Sequence, residues 1–112
     1  MSQSWKTEPQ YRELKKEFLE SLSDREGLLL ALKSEFENGG DLISHATRYH
    51  FIVHKLAGVA RSFDFIELAN VAESEDEMWA QRLESKVEIE RASLNDSLNM
   101  MIKTLKSHSC KI

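Results

Sequence analysis

A chain of 112 residues has room for one domain around one core, which excludes a separate substrate-binding domain. Hydrophobic residues at 41% and charged residues at 30% give enough apolar surface to fold and enough charge to stay dissolved. A net charge of -4, with Lys15-Lys16 the only adjacent basic pair, argues against sequence-independent nucleic-acid binding, because no positive field gathers phosphate backbones.

The stretch from Met1 to Glu8 lacks the apolar run of a secretory signal, so a cytoplasmic protein is expected. The first helix is expected over about 9–37. Thr7 and Gln10 form a capping box, and Pro9, the only proline, is tolerated in a first turn. Tyr11, Leu14, Phe18, Leu22, Leu29, Leu32 and Phe36 keep to one side of that helix. Ser23 and Glu26 also fit a capping box, but the apolar spacing runs on through it, so one helix is preferred to two. Leu28 to Leu32, the longest apolar run, is far too short to cross a bilayer, so no membrane role is expected.

Gly39-Gly40 is the clear break, and Asp41 after it is the expected N-cap of a second helix over 41–62. Leu42, Ala46, Tyr49, Val53, Leu56, Ala60 and Phe63 alternate gaps of four and three along it. Asp64 and Glu67 box the start of a third helix, about 65–82, on which Phe65, Ala69, Ala72 and Trp79 line up. Ser85 and Glu88 box a fourth, 86–107, with Val87, Leu94, Leu98, Met101 and Leu105 in line and Met100-Met101 at the core or its edge. Residues 1–6 and 108–112 are expected to fray. Cys110 is the single cysteine, which fits a reducing compartment and leaves no disulfide or Cys-rich metal pattern. No segment sustains a period of two. The expected fold is all-α: one domain over 1–112, an antiparallel up-down four-helix bundle, read as a monomer.

One side chain stands out. His54 lies about 100° round the second helix from Val53, at the edge of its buried face. Its row contains His50, Gly58 and Arg61. A glycine inside a helix costs about 1 kcal/mol relative to alanine, so Gly58 implies a surface kept flat for close approach to His54. Asp76 falls on the inner row of the third helix, between Ala72 and Trp79, where an unpaired carboxylate would be expensive. It needs a partner there unless a small shift in helix phase leaves it exposed.

The segment His54-Lys55-Leu56-Ala57-Gly58, followed by Val59-Ala60-Arg61-Ser62-Phe63-Asp64-Phe65 and Leu68, resembles the signature of histidine phosphotransfer (HPt) domains. The resemblance is specific over roughly positions 46 to 83, and the outer helices agree only in length and patterning. It implies a four-helix bundle with a phosphorylatable, solvent-facing histidine on the second helix of the core. His54 would accept a phosphoryl group from a receiver-domain aspartate and pass it to another receiver. The partners implied are receiver domains of response regulators and hybrid sensor kinases. The receiver supplies the Mg²⁺, so this chain would need no cofactor and have no kinase activity.

The same likeness casts Asp76 in the place of a polar side chain that hydrogen-bonds the accepting ring. Three positions depart from the pattern. Ala57 stands where many relatives have Lys, leaving Lys55 as the nearest basic residue. Arg61 stands where Gly is frequent, and would either steady the phosphate from two turns away or crowd the docking surface. Asp64 replaces a turn glycine, which its tolerance of left-handed geometry permits.

Blander readings stand beside these. His45 and His50 read as flanking surface residues, Lys55 and Arg61 as solvated charge, and Glu73-Ser74-Glu75-Asp76-Glu77 as a solvated acidic face. A rival function is metal binding by His50 and His54 at i, i+4, with Asp76 as third ligand. That rival lacks the Glu-x-x-His pairs of helical di-iron sites and the Glu after the first His of helical zinc proteases. A third reading is an interaction module of the same fold without transfer chemistry, which would have no need to keep His54.

Overall fold

Four apolar stripes on one short chain must be buried against one another, and here they are. A computed structural model describes residues 9–85 and 89–109, in which α1 spans Pro9–Glu37, α2 Leu42–Ser62, α3 Ile66–Ser85 and α4 Arg91–Ser109. Among the described residues there is no strand. The helices form an antiparallel up-down bundle in which α2 packs most closely on α3 and α1 on α4. No described helix is long and apolar enough to cross a membrane.

The ends of the helices follow from local chemistry. α1 is unbroken through Ser23, and Gly39 and Gly40 carry the chain out of it at φ 99° and 106°, values that L side chains rarely adopt. Asp41 then caps α2, its carboxylate accepting from Ser44 N–H at 3.3 Å. α2 ends in a Schellman turn: Phe65 N–H bonds Ala60 C=O at 2.9 Å and Asp64 N–H bonds Arg61 C=O at 3.1 Å. Asp64 holds the left-handed position at φ 65°, which explains an Asp where a glycine is usual. Tyr11, Phe18, Phe63 and Phe65 close this end of the bundle as an aromatic cluster, with Phe18 5.7 Å from Phe63 and 5.3 Å from Phe65 between ring centroids. At the other end Arg91 donates to Phe36 C=O at 2.7 Å, tying the start of α4 to the end of α1.

The core is the predicted stripes, with Leu22, Leu29, Leu32, Tyr49, Val53, Leu56, Trp79, Leu94, Leu98, Met101 and Leu105 fully buried. Each large apolar side chain removed from water contributes about 1.5–3 kcal/mol. A buried polar seam crosses this core: Tyr49 O–H donates to Glu75 at 2.5 Å, and Trp79 Nε1–H donates to Ser97 Oγ at 3.0 Å.

Several expectations are corrected. α3 runs on to Ser85 and α4 begins only at Arg91, so the box at Ser85 and Glu88 does not open α4 directly; Thr7, Val87, Glu88 and Cys110 lie outside the described residues. α4 also continues through His108 to Ser109, where fraying was expected. Leu14 is 54% exposed, although Tyr11 and Phe18 on either side of it in the same stripe are buried. Met100 is exposed while Met101 is buried. His45 is not a surface residue: it is buried edge-on against Phe36, with its ring beside Gly40. Glu75 does not belong to a solvated acidic face, because it turns inward to Tyr49.

Candidate functional site

The site is set by the pitch of α2. Val53, Leu56 and Ala57 face the core, so the helix carries Phe51, Lys55, Gly58 and Ser62 outward on the opposite side and His54 at the exposed edge between the two faces. The His54 side chain is 66% exposed. α3 runs antiparallel alongside and brings Asp76 opposite α2, where its side chain is 24% exposed.

Asp76 receives two histidines. Its Oδ2 lies 3.0 Å from His54 Nδ1, and its Oδ1 lies 2.7 Å from His50 Nε2. Burial pushes the Asp76 carboxyl up, but hydrogen bonds from His54 and His50, with the charge of those rings, outweigh it and hold the group below its ordinary range. An ionised carboxylate only accepts, so both facing nitrogens donate. His54 therefore carries its hydrogen on Nδ1, and in the neutral ring Nε2 keeps a free lone pair.

The flank of His54 is open. His54, Lys55, Gly58, Val59, Ser62 and Phe63 line a shallow hollow on the outer face of α2. A Cβ on Gly58 meets nothing within 4 Å, so no packing among the described residues requires the glycine. On the other side of Lys55 a second hollow lies between α1 and α2, with Leu28 and Phe51 exposed in it. The Lys55 ammonium stands 4.9 Å from the Phe51 ring centroid, between the two hollows.

Arg61 is engaged elsewhere. Its guanidinium donates to both oxygens of Glu73, at 2.6 and 2.9 Å, and to Asn70 at 2.8 Å, clamping α2 to α3. The Glu73 hydrogen bonds raise Arg61 and, in return, Arg61 holds Glu73 below its ordinary range. Of the residues singled out by sequence, His54 and Asp76 are brought into contact, Lys55 and Gly58 flank them, and Arg61 is turned towards α3.

His50 is the residue that sequence reasoning set aside. It is half-buried and shares the Asp76 carboxylate with His54. The signal was present, since His50 precedes His54 by one turn on the row that Asp76 faces. Phe51 and Leu28 were also passed over; Phe51 falls outside the core stripe of α2, which marks an aromatic side chain left in solvent. Among the described residues, no group of three or more His, Cys, Asp or Glu side chains is arranged to hold a metal ion. Each histidine instead spends its facing nitrogen on a separate oxygen of Asp76.

Compared with protein-family models, curated proteins and solved structures, the chain matches none. Fold and site together define a four-helix bundle that presents one exposed histidine, oriented by a carboxylate from the neighbouring helix.

Proposed function

We propose that this protein is a phosphocarrier of the histidine phosphotransfer type, taking a phosphoryl group on His54 from one receiver domain and giving it to another. The observation that carries the reading is the His54–Asp76 pair: Nδ1 is held at 3.0 Å by a carboxylate on an otherwise open surface, which leaves Nε2 directed away from its anchor. Neutral imidazole is abundant near pH 7 and is a competent nucleophile.

In the proposed step the Nε2 lone pair attacks phosphorus of the receiver's aspartyl phosphate. The N–P bond forms as the P–O bond to the aspartyl carboxylate breaks, and that electron pair returns to the receiver's carboxylate. The His54 ring becomes cationic with its hydrogen still on Nδ1, and Asp76 lies beside that charge. Reversal with a second receiver regenerates neutral His54. Mg²⁺ and the groups that stabilise the phosphoryl oxygens belong to the receiver. No ATP enters at this site, so the protein is a carrier and not a kinase, and its receivers imply a cytoplasmic setting.

The flat surface at Gly58 supports the same reading, because a folded domain must come close to His54. The test is incubation with a panel of phosphorylated receiver domains. Wild-type protein should gain a label that is acid-labile and base-stable, as a phosphoramidate is. His54→Gln should fold and gain none, and His50→Gln should still be labelled. Label persisting on the His54 variant would refute the assignment.

A further inference from the structure

Asp76 is bonded twice, and the shorter bond is not the one to the exposed histidine. His50 Nε2 stands 2.7 Å from Oδ1, whereas His54 Nδ1 stands 3.0 Å from Oδ2. The His50 side chain is 27% exposed against 66% for His54, and the two rings lie 6.1 Å apart between centroids. The inner histidine is the better-held partner.

We propose that His50 is a positioning residue for phosphoryl transfer at His54, acting through Asp76 by fixing the plane of its carboxylate; this rests on the reading of His54 as the acceptor. A carboxylate bonded through one oxygen can turn about its last torsion and follow a mobile, exposed ring. Bonded through both oxygens to donors one turn apart on α2, it cannot turn without breaking a bond. His54 Nδ1–H then meets an acceptor already in place, and Nε2 keeps its direction before and after the phosphoryl group arrives. Arg61 is engaged by Glu73, one turn before Asp76 on α3, so its guanidinium is spent on another carboxylate.

The arrangement also assigns the hydrogens. His50 donates from Nε2, the tautomer that free imidazole side chains favour, while His54 donates from Nδ1, the less favoured one. The His54 tautomer is thus maintained by Asp76, and Asp76 by His50. Removing the His50 donor should release the carboxylate and let His54 return towards the Nε2–H form, whose Nε2 has no lone pair for phosphorus.

The experiment compares His50→Leu with His50→Gln in the full chain, because the Gln amide can donate to Oδ1 from about the same place. The readouts are the ¹⁵N shifts of the His54 ring and the rate of labelling by a phosphorylated receiver, resolved into maximal rate and half-saturating receiver concentration. His50→Leu should move His54 away from the Nδ1–H form and lower the maximal rate by about tenfold, leaving half-saturation unchanged. His50→Gln should restore both the shifts and most of the rate. If His50→Leu does not fold, His50→Ala carries the same comparison. A Leu or Ala variant with wild-type His54 shifts and rate would overturn the proposal, as would a Gln variant as impaired as Leu. If no receiver labels the wild-type protein, the phosphocarrier reading fails, and the ¹⁵N comparison still decides whether His50 sets the His54 ring.

Discussion

His54 on α2 and Asp76 on α3 are bonded at 3.0 Å through the ring nitrogen nearer the backbone, so the ring's far nitrogen points away from the carboxylate. The pair consists of an exposed partner and a largely covered one, 66% against 24%. That division of labour lets the carboxylate hold while the imidazole is reached from outside. Asp76→Asn should accept label more slowly than wild type, because an amide can still hydrogen-bond the ring but adds no negative charge beside the cation. Asp76→Ala should be slower again. Equal labelling rates in all three proteins would remove Asp76 from the mechanism.

The same carboxylate makes stability depend on pH. Its folded pKa lies below the ordinary value, so its contribution is fully present above the unfolded pKa, about 3.9, and is lost as pH falls through the folded pKa. Urea denaturation of wild type and Asp76→Asn from pH 6 downward should show the wild-type advantage shrinking below about pH 4. An advantage that stays constant to pH 2 would contradict the His50–Asp76–His54 bonding.

Gly58 is predicted to serve a partner and not this chain. None of the described residues lies within 4 Å of a Cβ placed there, so Gly58→Gln should fold and gain several tenths of a kcal/mol of helix stability. The longer side chain would stand in the approach to His54 and should slow labelling. A variant that is more stable and equally fast would show that the flat surface is not needed.

Tyr49 is fully buried, and burial first, then the hydrogen bond to Glu75, raises its hydroxyl far above the ordinary tyrosine value. Tyr49→Phe removes the donor from a buried Glu75 and should cost about 1–3 kcal/mol in denaturation experiments. A cost below a few tenths would mean that Glu75 finds water instead.

Arg61 provides the contrast. Its pairing with Glu73 is exposed on both sides, so Arg61→Ala should change stability only slightly, and raised salt should shrink the difference further. A loss comparable to that of Tyr49→Phe would mean the α2–α3 clamp matters more than its exposure allows.

Much of the fold was legible because periodicity reports burial directly. The stripe Ala46, Tyr49, Val53, Leu56, Ala60 is buried as spaced, and it is what turns His54 outward. Asp76 was legible as an inner-row carboxylate in need of a partner, though which histidine it meets depends on the register of α3 against α2. His45 and Glu75 were misread because the burial of each depends on a residue of another helix: Phe36 of α1, against which the His45 imidazole lies beside the glycine turn, and Tyr49 of α2, which offers Glu75 a donor. The spacing of apolar residues along one helix does not report such contacts between helices. The start of α4 was misplaced because a capping box is a local signal, and α3 continues through Ser85 instead of stopping before it. Arg61 looked available to a phosphate on α2 alone; the opposing Glu73 and Asn70 become visible only when α3 is laid beside it.

The most direct measurement is ³¹P and ¹⁵N NMR of ring-labelled protein after incubation with a phosphorylated receiver domain. One phosphoramidate is expected, bonded to Nε2 of His54, with the hydrogen remaining on Nδ1 beside Asp76. Phosphorus on Nδ1 of His54, on His50 or on any other side chain, or no phosphoramidate with any receiver in a broad panel, would contradict it.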